Sequence, residues 1–163
     1  DDCWLRSDST DYFWTGKGVH YAGTGPSADH TTGSGGYTFA RSATPFSAGA
    51  DTELRTPWID LDTLHSPELI FWYHMYGSDI DELKVFIKPL GQQALLLKSI
   101  TGQKQALSTS SWLKQTFFYN TPCQSIKAQL AIPSMLERQP SKMKVNLERV
   151  EVPYRRPQCP SSL

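Results

Sequence analysis

Net charge is the first thing this sequence lacks: 16 Lys and Arg offset 16 Asp and Glu over 163 residues. A neutral chain has no electrostatic surplus to drive it onto a phosphate backbone, so nucleic acid is excluded as the expected partner. Long apolar runs are also absent. No stretch approaches the roughly 18 consecutive apolar residues of a membrane span, so direct membrane insertion by this chain is not expected. The chain begins Asp1-Asp2-Cys3 without a charged and then apolar leader, which reads as a mature form or an excised domain. There are only three cysteines, Cys3, Cys123 and Cys159, and their spacing fits no zinc pattern. An odd count leaves two readings open: one disulfide with an orphan thiol, or three free thiols. There is no Asn-x-Ser/Thr sequon either, since Asn120-Thr121-Pro122 fails at its third residue, so no face carries an N-glycan shield.

Catalytic signatures are missing as well. Gly33-Ser34-Gly35-Gly36 lacks the spacing of a nucleophile elbow, and Gly16-Lys17-Gly18 lacks the Ser or Thr of a phosphate loop. His30, Asp29 and Ser34 lie too near one another in sequence to form a triad, and they read as a hydrogen-bonded loop. Asp79-Ile80-Asp81-Glu82 reads as a solvated turn rather than a paired-carboxylate site. His74, inside an apolar run, reads as a packed histidine with a satisfied partner. No catalytic or cofactor-binding residue is assigned.

What is present is a set of short strands separated by turn chemistry; helical periodicity is scarce. Ile126, Ala128, Leu130 and Ile132 alternate with Lys127 and Gln129, bounded by Pro122 and Pro133. Leu83, Val85 and Ile87 alternate with Lys84, Phe86 and Lys88. This strand follows the run Phe71-Trp72-Tyr73-His74-Met75-Tyr76 across Gly77-Ser78, and the pair is expected to form a hairpin. Leu95–Lys98 and Leu113–Tyr119 are further candidates. Val145–Val152 changes its apolar parity between Leu147 and Val150, which predicts a bulge or a crossing between sheets. The span from Ser134 to Lys144 reads as a loop with a short helical turn near Met135. Trp14, Trp58 and Trp72 are expected to supply buried area. Three prolines after Val152 predict a domain over 1–153 and a tail or linker over 154–163. The pattern argues for an all-β sandwich.

Two stretches carry more than fold class. The first, Gly23-Thr24-Gly25-Pro26-Ser27-Ala28-Asp29-His30-Thr31-Thr32-Gly33-Ser34-Gly35-Gly36-Tyr37, is a long loop entering a strand. The second is Phe71-Trp72-Tyr73-His74-Met75-Tyr76-Gly77-Ser78. With Cys3-Trp4 and Asp11-Tyr12-Phe13-Trp14-Thr15, they resemble the MAM domain, an extracellular β-sandwich module of adhesion receptors, receptor phosphatases and secreted metalloproteases. The resemblance spans Cys3 to Cys159. It implies an all-β, two-sheet antiparallel β-sandwich with jelly-roll topology. That sandwich would serve as an extracellular or cell-surface, non-enzymatic adhesion module of a larger secreted or cell-surface protein, with a protein partner such as a receptor or complex subunit and with homo-association allowed. A carbohydrate-binding sandwich and an accessory domain of an extracellular protease are the alternatives. Exposed aromatics would form the interface, and Tyr12, Trp14, Tyr21 and Trp112 are the candidates.

The departures from the family pattern are specific. Glu68 stands where the family usually has a cysteine, so Cys159 lacks its usual partner and Cys123 is extra. A cation, calcium or sodium, is held in some members by acids of the loop, of the strand after Tyr37 and of the last strand. Asp29 and Glu148 are the candidates left here, because Arg41 and Arg149 stand where acids are usual; either acid could instead pair with an arginine. The resemblance also implies a Cys123–Cys159 bridge with Cys3 unpaired. Peptide mapping by mass spectrometry without reduction is expected to recover the Cys123 and Cys159 peptides linked; a Cys3–Cys159 link would refute the pairing.

Overall fold

The computed structural model describes residues 5–6, 13–18, 23–40, 51–61, 67–78, 80–118, 127–135 and 146–151. The domain boundary at 153, the tail 154–163, all three cysteines, and Tyr12, Tyr21 and Arg41 lie outside them. Eleven strands and no helix occur among the described residues. In chain order they are β1 (Leu5–Arg6), β2 (Phe13–Gly16), β3 (Tyr37–Ala40), β4 (Asp51–Arg55), β5 (Ile59–Asp60) and β6 (Glu68–His74). They continue with β7 (Glu82–Pro89), β8 (Leu95–Thr101), β9 (Leu113–Phe118), β10 (Lys127–Met135) and β11 (Asn146–Glu151).

The strands form two antiparallel sheets. One runs β1-β4-β10-β7-β8 with β5 pairing β10, and the other runs β2-β3-β11-β6-β9. Alternation explains how the sheets face one another. Leu83, Val85 and Ile87 are buried along β7, while Leu69, Phe71 and Tyr73 are buried along β6. Leu83 and Val85 from β7 and Leu69, Phe71 and Tyr73 from β6, with Ala40, Leu54, Met75, Ile80 and Ile100, make one apolar cluster between the sheets. Phe71, Met75, Leu83 and Val85 are each exposed by less than 2%. Full burial of such a side chain contributes about 1.5–3 kcal/mol, so this cluster is the main stabilising element. The sequence motif Phe71–Tyr76 is dense in apolar residues because β6 is a central strand, flanked by β11 and β9.

Three expectations change. β6 and β7 do not form a hairpin: they lie in different sheets, and the chain crosses the sandwich between them. Their matching apolar faces meet across the core instead of side by side. Gly77, at φ 142°, allows that crossing. β10 continues through Pro133 to Met135 rather than ending before it. Its pairing with β7 skips from Ala131 to Ser134 while its pairing with β4 is continuous, so Pro133 falls at a gap in one ladder. Ser134 and Met135 are therefore strand, not loop. Trp58 is 42% exposed and is not a core residue, since it sits in the short link between β4 and β5. The parity switch in the last strand is seen directly, as a register shift between Glu148 and Glu151 where β11 pairs β6.

The crossing at Gly77 is tight. A Cβ there would meet Thr24 Oγ1 at 2.6 Å and Thr24 Cβ at 3.1 Å. Gly77→Ala is expected to cost about 1–3 kcal/mol in thermal denaturation, from the clash and the left-handed backbone together. Gly36→Ala, whose nearest neighbour would be Gly16 O at 3.5 Å, is expected to stay within about 0.5 kcal/mol of the parent. Equal midpoints for the two variants would contradict this account of the crossing.

Candidate functional site

Two loops pack together over the end of β6. The loop from Gly23 to Gly36 enters β3, and the loop from Gly102 to Trp112 joins β8 to β9. β9 begins at Leu113, which pairs with Tyr73, so Met75 and Tyr76 run on past the ladder. Their backbone groups are satisfied from the loops. Gly25 N and Thr24 Oγ1 both donate to Tyr76 O at 2.8 Å. Lys104 N donates to Met75 O at 2.8 Å, and Met75 N donates to Gln105 Oε1 at 2.7 Å. Gln105, exposed by only 4%, also donates Nε2 to Tyr73 O at 3.3 Å and to Ser111 O at 3.4 Å. Its amide thus stands in for a missing strand. Ser27 N donates to Ser108 O at 2.9 Å and joins the two loops.

Asp29 organises the first loop. Its carboxylate accepts from Thr32 N at 2.7 Å, from Gly35 N at 2.5 Å and from the Thr32 hydroxyl. The Thr32 amide holds the carboxyl below the ordinary range, burial opposes this, and the Gly35 amide reinforces it. Glu148 lies on β11 opposite Trp72 of β6, and Arg149 follows it on the same strand. Among the described residues no three His, Cys, Asp or Glu side chains are grouped to hold a metal ion. What the structure gives Asp29 is a loop-closing role.

An aromatic cluster sits beneath the loop. His30 stacks on Trp72 with centroids 4.5 Å apart and planes at 26°, and Lys114 Nζ lies 5.6 Å from the centre of the same ring. Trp112 donates Nε1 to Ala28 O at 3.1 Å and meets Tyr37 and His74 edge-on at 5.9 and 5.7 Å. It is half-buried, so its ring fastens the loop to the sheet instead of standing free. Trp14 pairs through its backbone with Phe39 in the β2–β3 ladder. His74 is fully buried, and burial pushes its pKa down to about 4 against a smaller opposing effect of a hydrogen bond with the Ser110 backbone.

Leu107, 59% exposed, lies on the second loop itself, and the other strongly exposed leucines, which were not singled out from the sequence, lie away from the site. Leu90, Leu95 and Leu96 are 59, 51 and 53% exposed on the β7–β8 hairpin, and Phe118 is 70% exposed at the end of β9. A signal was available: three consecutive leucines, Leu95-Leu96-Leu97, cannot all face inward from an alternating strand. Gln105 had no such signal, because a buried amide has the same local sequence as an exposed one.

Comparison with known proteins bears on this geometry. The sequence model of the MAM domain, meprin/A5/mu, matches residues 1–160. Among solved structures, TmCBM61 in complex with β-1,4-galactotriose is similar, with a TM-score of 0.56 at 8% identity over 94% of this chain and 90% of that one. A cleaved adhesin domain of Lys-gingipain from Porphyromonas gingivalis also has a TM-score of 0.56, at 17% identity over 95% of this chain and 92% of that one. At such identities the likeness is one of fold.

The buried neutral His74 sets a pH dependence. In the unfolded chain it takes up a proton near its ordinary 6.5, whereas the folded chain resists until about 4. Its contribution is complete above 6.5 and is lost as the pH falls toward 4, at up to roughly 1.4 kcal/mol per pH unit. The thermal midpoint is expected to fall between pH 6.5 and 4.5, and His74→Gln to flatten that fall. Parallel profiles for the two proteins would rule His74 out as its source.

Proposed function

This chain belongs to the MAM domain family, and from that premise we propose that it is an extracellular, non-enzymatic adhesion module that binds a protein partner as part of a larger secreted or cell-surface protein. One observation carries the protein-binding reading. The aromatic residues beneath the loop, which a sugar-binding sandwich would offer as an open platform, are engaged within the domain: His30 stacks on Trp72, and Trp112 is tied to Ala28. The large exposed side chains are mostly aliphatic, at Leu90, Leu95, Leu96 and Leu107. Aliphatic patches suit a protein surface better than a sugar, which stacks on flat rings.

A carbohydrate reading has one observation in its favour. Trp58 is 42% exposed and next to β5, and a sandwich of similar fold has been solved with a galactotriose. Service as an accessory domain of an extracellular protease is compatible with either mode of binding and is decided by what else the parent protein contains.

Arrays of extracellular proteins and of glycans, probed with the same labelled domain, separate the two readings. A protein hit with a silent glycan array is expected. Glycan binding abolished by Trp58→Ala would overturn the protein reading in favour of the carbohydrate one.

A further inference from the structure

The balanced charge of the whole chain hides a segregation along it. From Leu83 to Leu136 there is no Asp or Glu, while Lys84, Lys88, Lys98, Lys104, Lys114 and Lys127 fall within that span. The span contains β8 and β9, the strands at one edge of each sheet. Of these lysines, Lys88 and Lys98 are exposed on the β7–β8 hairpin, in the company of Leu90, Leu95 and Leu96. Phe86, half-buried, lies across the ladder from Leu96. The acids nearest this edge are Asp81, whose backbone carbonyl accepts from Gly102 N just past β8, Glu82 and Asp60. Glu82, at the far end of the hairpin, is engaged by Lys84 at 2.8 Å and by Ser99. Asp60 stands opposite Lys127 on β10, beyond β7.

We propose that this edge, with Phe86, Lys88 and Leu96 on its outer face, Leu95 and Lys98 opposite Ile87 and Val85 on the other, and Leu90 at the turn, is a docking surface for an extended acidic segment of a partner protein carrying apolar side chains between its carboxylates. This rests on the protein-binding reading above and names the chemistry of the partner. Charge complementarity selects the occupant. A second copy would bring lysines against lysines across the patch, which disfavours self-association here. A bilayer approached by the hairpin would meet Gln92 and Gln93 at the turn, two amides that hydrocarbon cannot satisfy, before reaching the leucines. An extended chain meets neither objection. Among the described residues β8 has one neighbouring strand, β7, so its other side can receive the backbone of an added strand from Lys98 to Thr101. Leucines supply the apolar contact, and the lysines select the sign of the partner's charge.

The probe is a fluorescein-labelled peptide, Glu-Val-Glu-Leu-Ser-Glu-Val-Glu, with its lysine counterpart as control; binding to the intact chain is followed by anisotropy. Saturable binding of the acidic peptide alone is expected, weakening with added salt. Lys88→Glu with Lys98→Glu is expected to lower affinity at least about tenfold, and Leu96→Ser to lower it with the charge unchanged. Backbone amide shifts on titrating the parent domain, which need no variant to fold, are expected to centre on residues 95–101. Shifts centred elsewhere, equal binding of the basic peptide, or undiminished binding by a charge-reversed domain with an unaltered melting midpoint would each overturn the proposal. So would sedimentation with phosphatidylserine vesicles in the absence of peptide binding, which would identify the patch as a lipid contact. A partner found on the protein array that binds the charge-reversed domain equally well would refute this surface while leaving the protein-binding reading intact. A glycan-only array result would overturn the protein-binding reading and, with it, the acidic protein partner named here.

Discussion

Unsatisfied backbone at the end of β6 is the constraint around which the described part of the molecule is arranged. A central strand that outruns its neighbour leaves amides and carbonyls that must find partners, because each one buried alone costs about as much as a lost hydrogen bond. Tyr76 O takes two donors from the loop that begins at Gly23, and Met75 is bracketed by Lys104 and Gln105 from the other loop. Those contacts bring together two segments about eighty residues apart in sequence. Once they are close, Trp112 can reach Ala28 and His30 can lie on Trp72. The glycine-rich loop is therefore tied to the end of β6 and to the second loop, and within it Gly35 lies where a Cβ would meet the Asp29 and Thr32 side chains.

Seen this way, the absence of a catalytic motif in the sequence and the packing of the aromatic cluster belong together. Asp29 spends its carboxylate on the amides of Thr32 and Gly35. His74 is kept neutral by burial, and Trp112 spends its one donor on a backbone carbonyl. Groups committed to one another in this manner are poor candidates for a changing ligand. The groups with spare capacity are on the hairpin at the opposite sheet's edge, where leucines and lysines meet water.

Much of the fold was legible because local pattern and tertiary role agreed. Leu83, Val85 and Ile87 alternate, and they are the buried face of β7. The crowded run at Phe71 marked a strand covered on both flanks, and the parity change after Leu147 marked a real shift of register. The connection between β6 and β7 was misread for a physical reason. A short polar link carrying a glycine suits a hairpin and a sheet crossing equally well, and only the rest of the fold decides whether two apolar faces lie side by side or face each other. The site was less legible than the fold. Trp112 was picked for its type and proved to be a fastener, whereas the leucines of β8 were passed over because strand propensity hides exposure. Gln105 could not be found from local sequence, since its value comes from residues some thirty positions away.

The pairing of β7 with β8 loses its register between Val85 and Phe86, leaving Leu97 as an extra residue on the edge strand. A straight edge bearing three leucines would be a template on which further chains could add without limit, the geometry of a growing fibril. The kink divides that edge into two short pieces that no second flat strand can follow from end to end. One surplus residue thus limits how far a second flat strand could be added along this leucine-bearing margin.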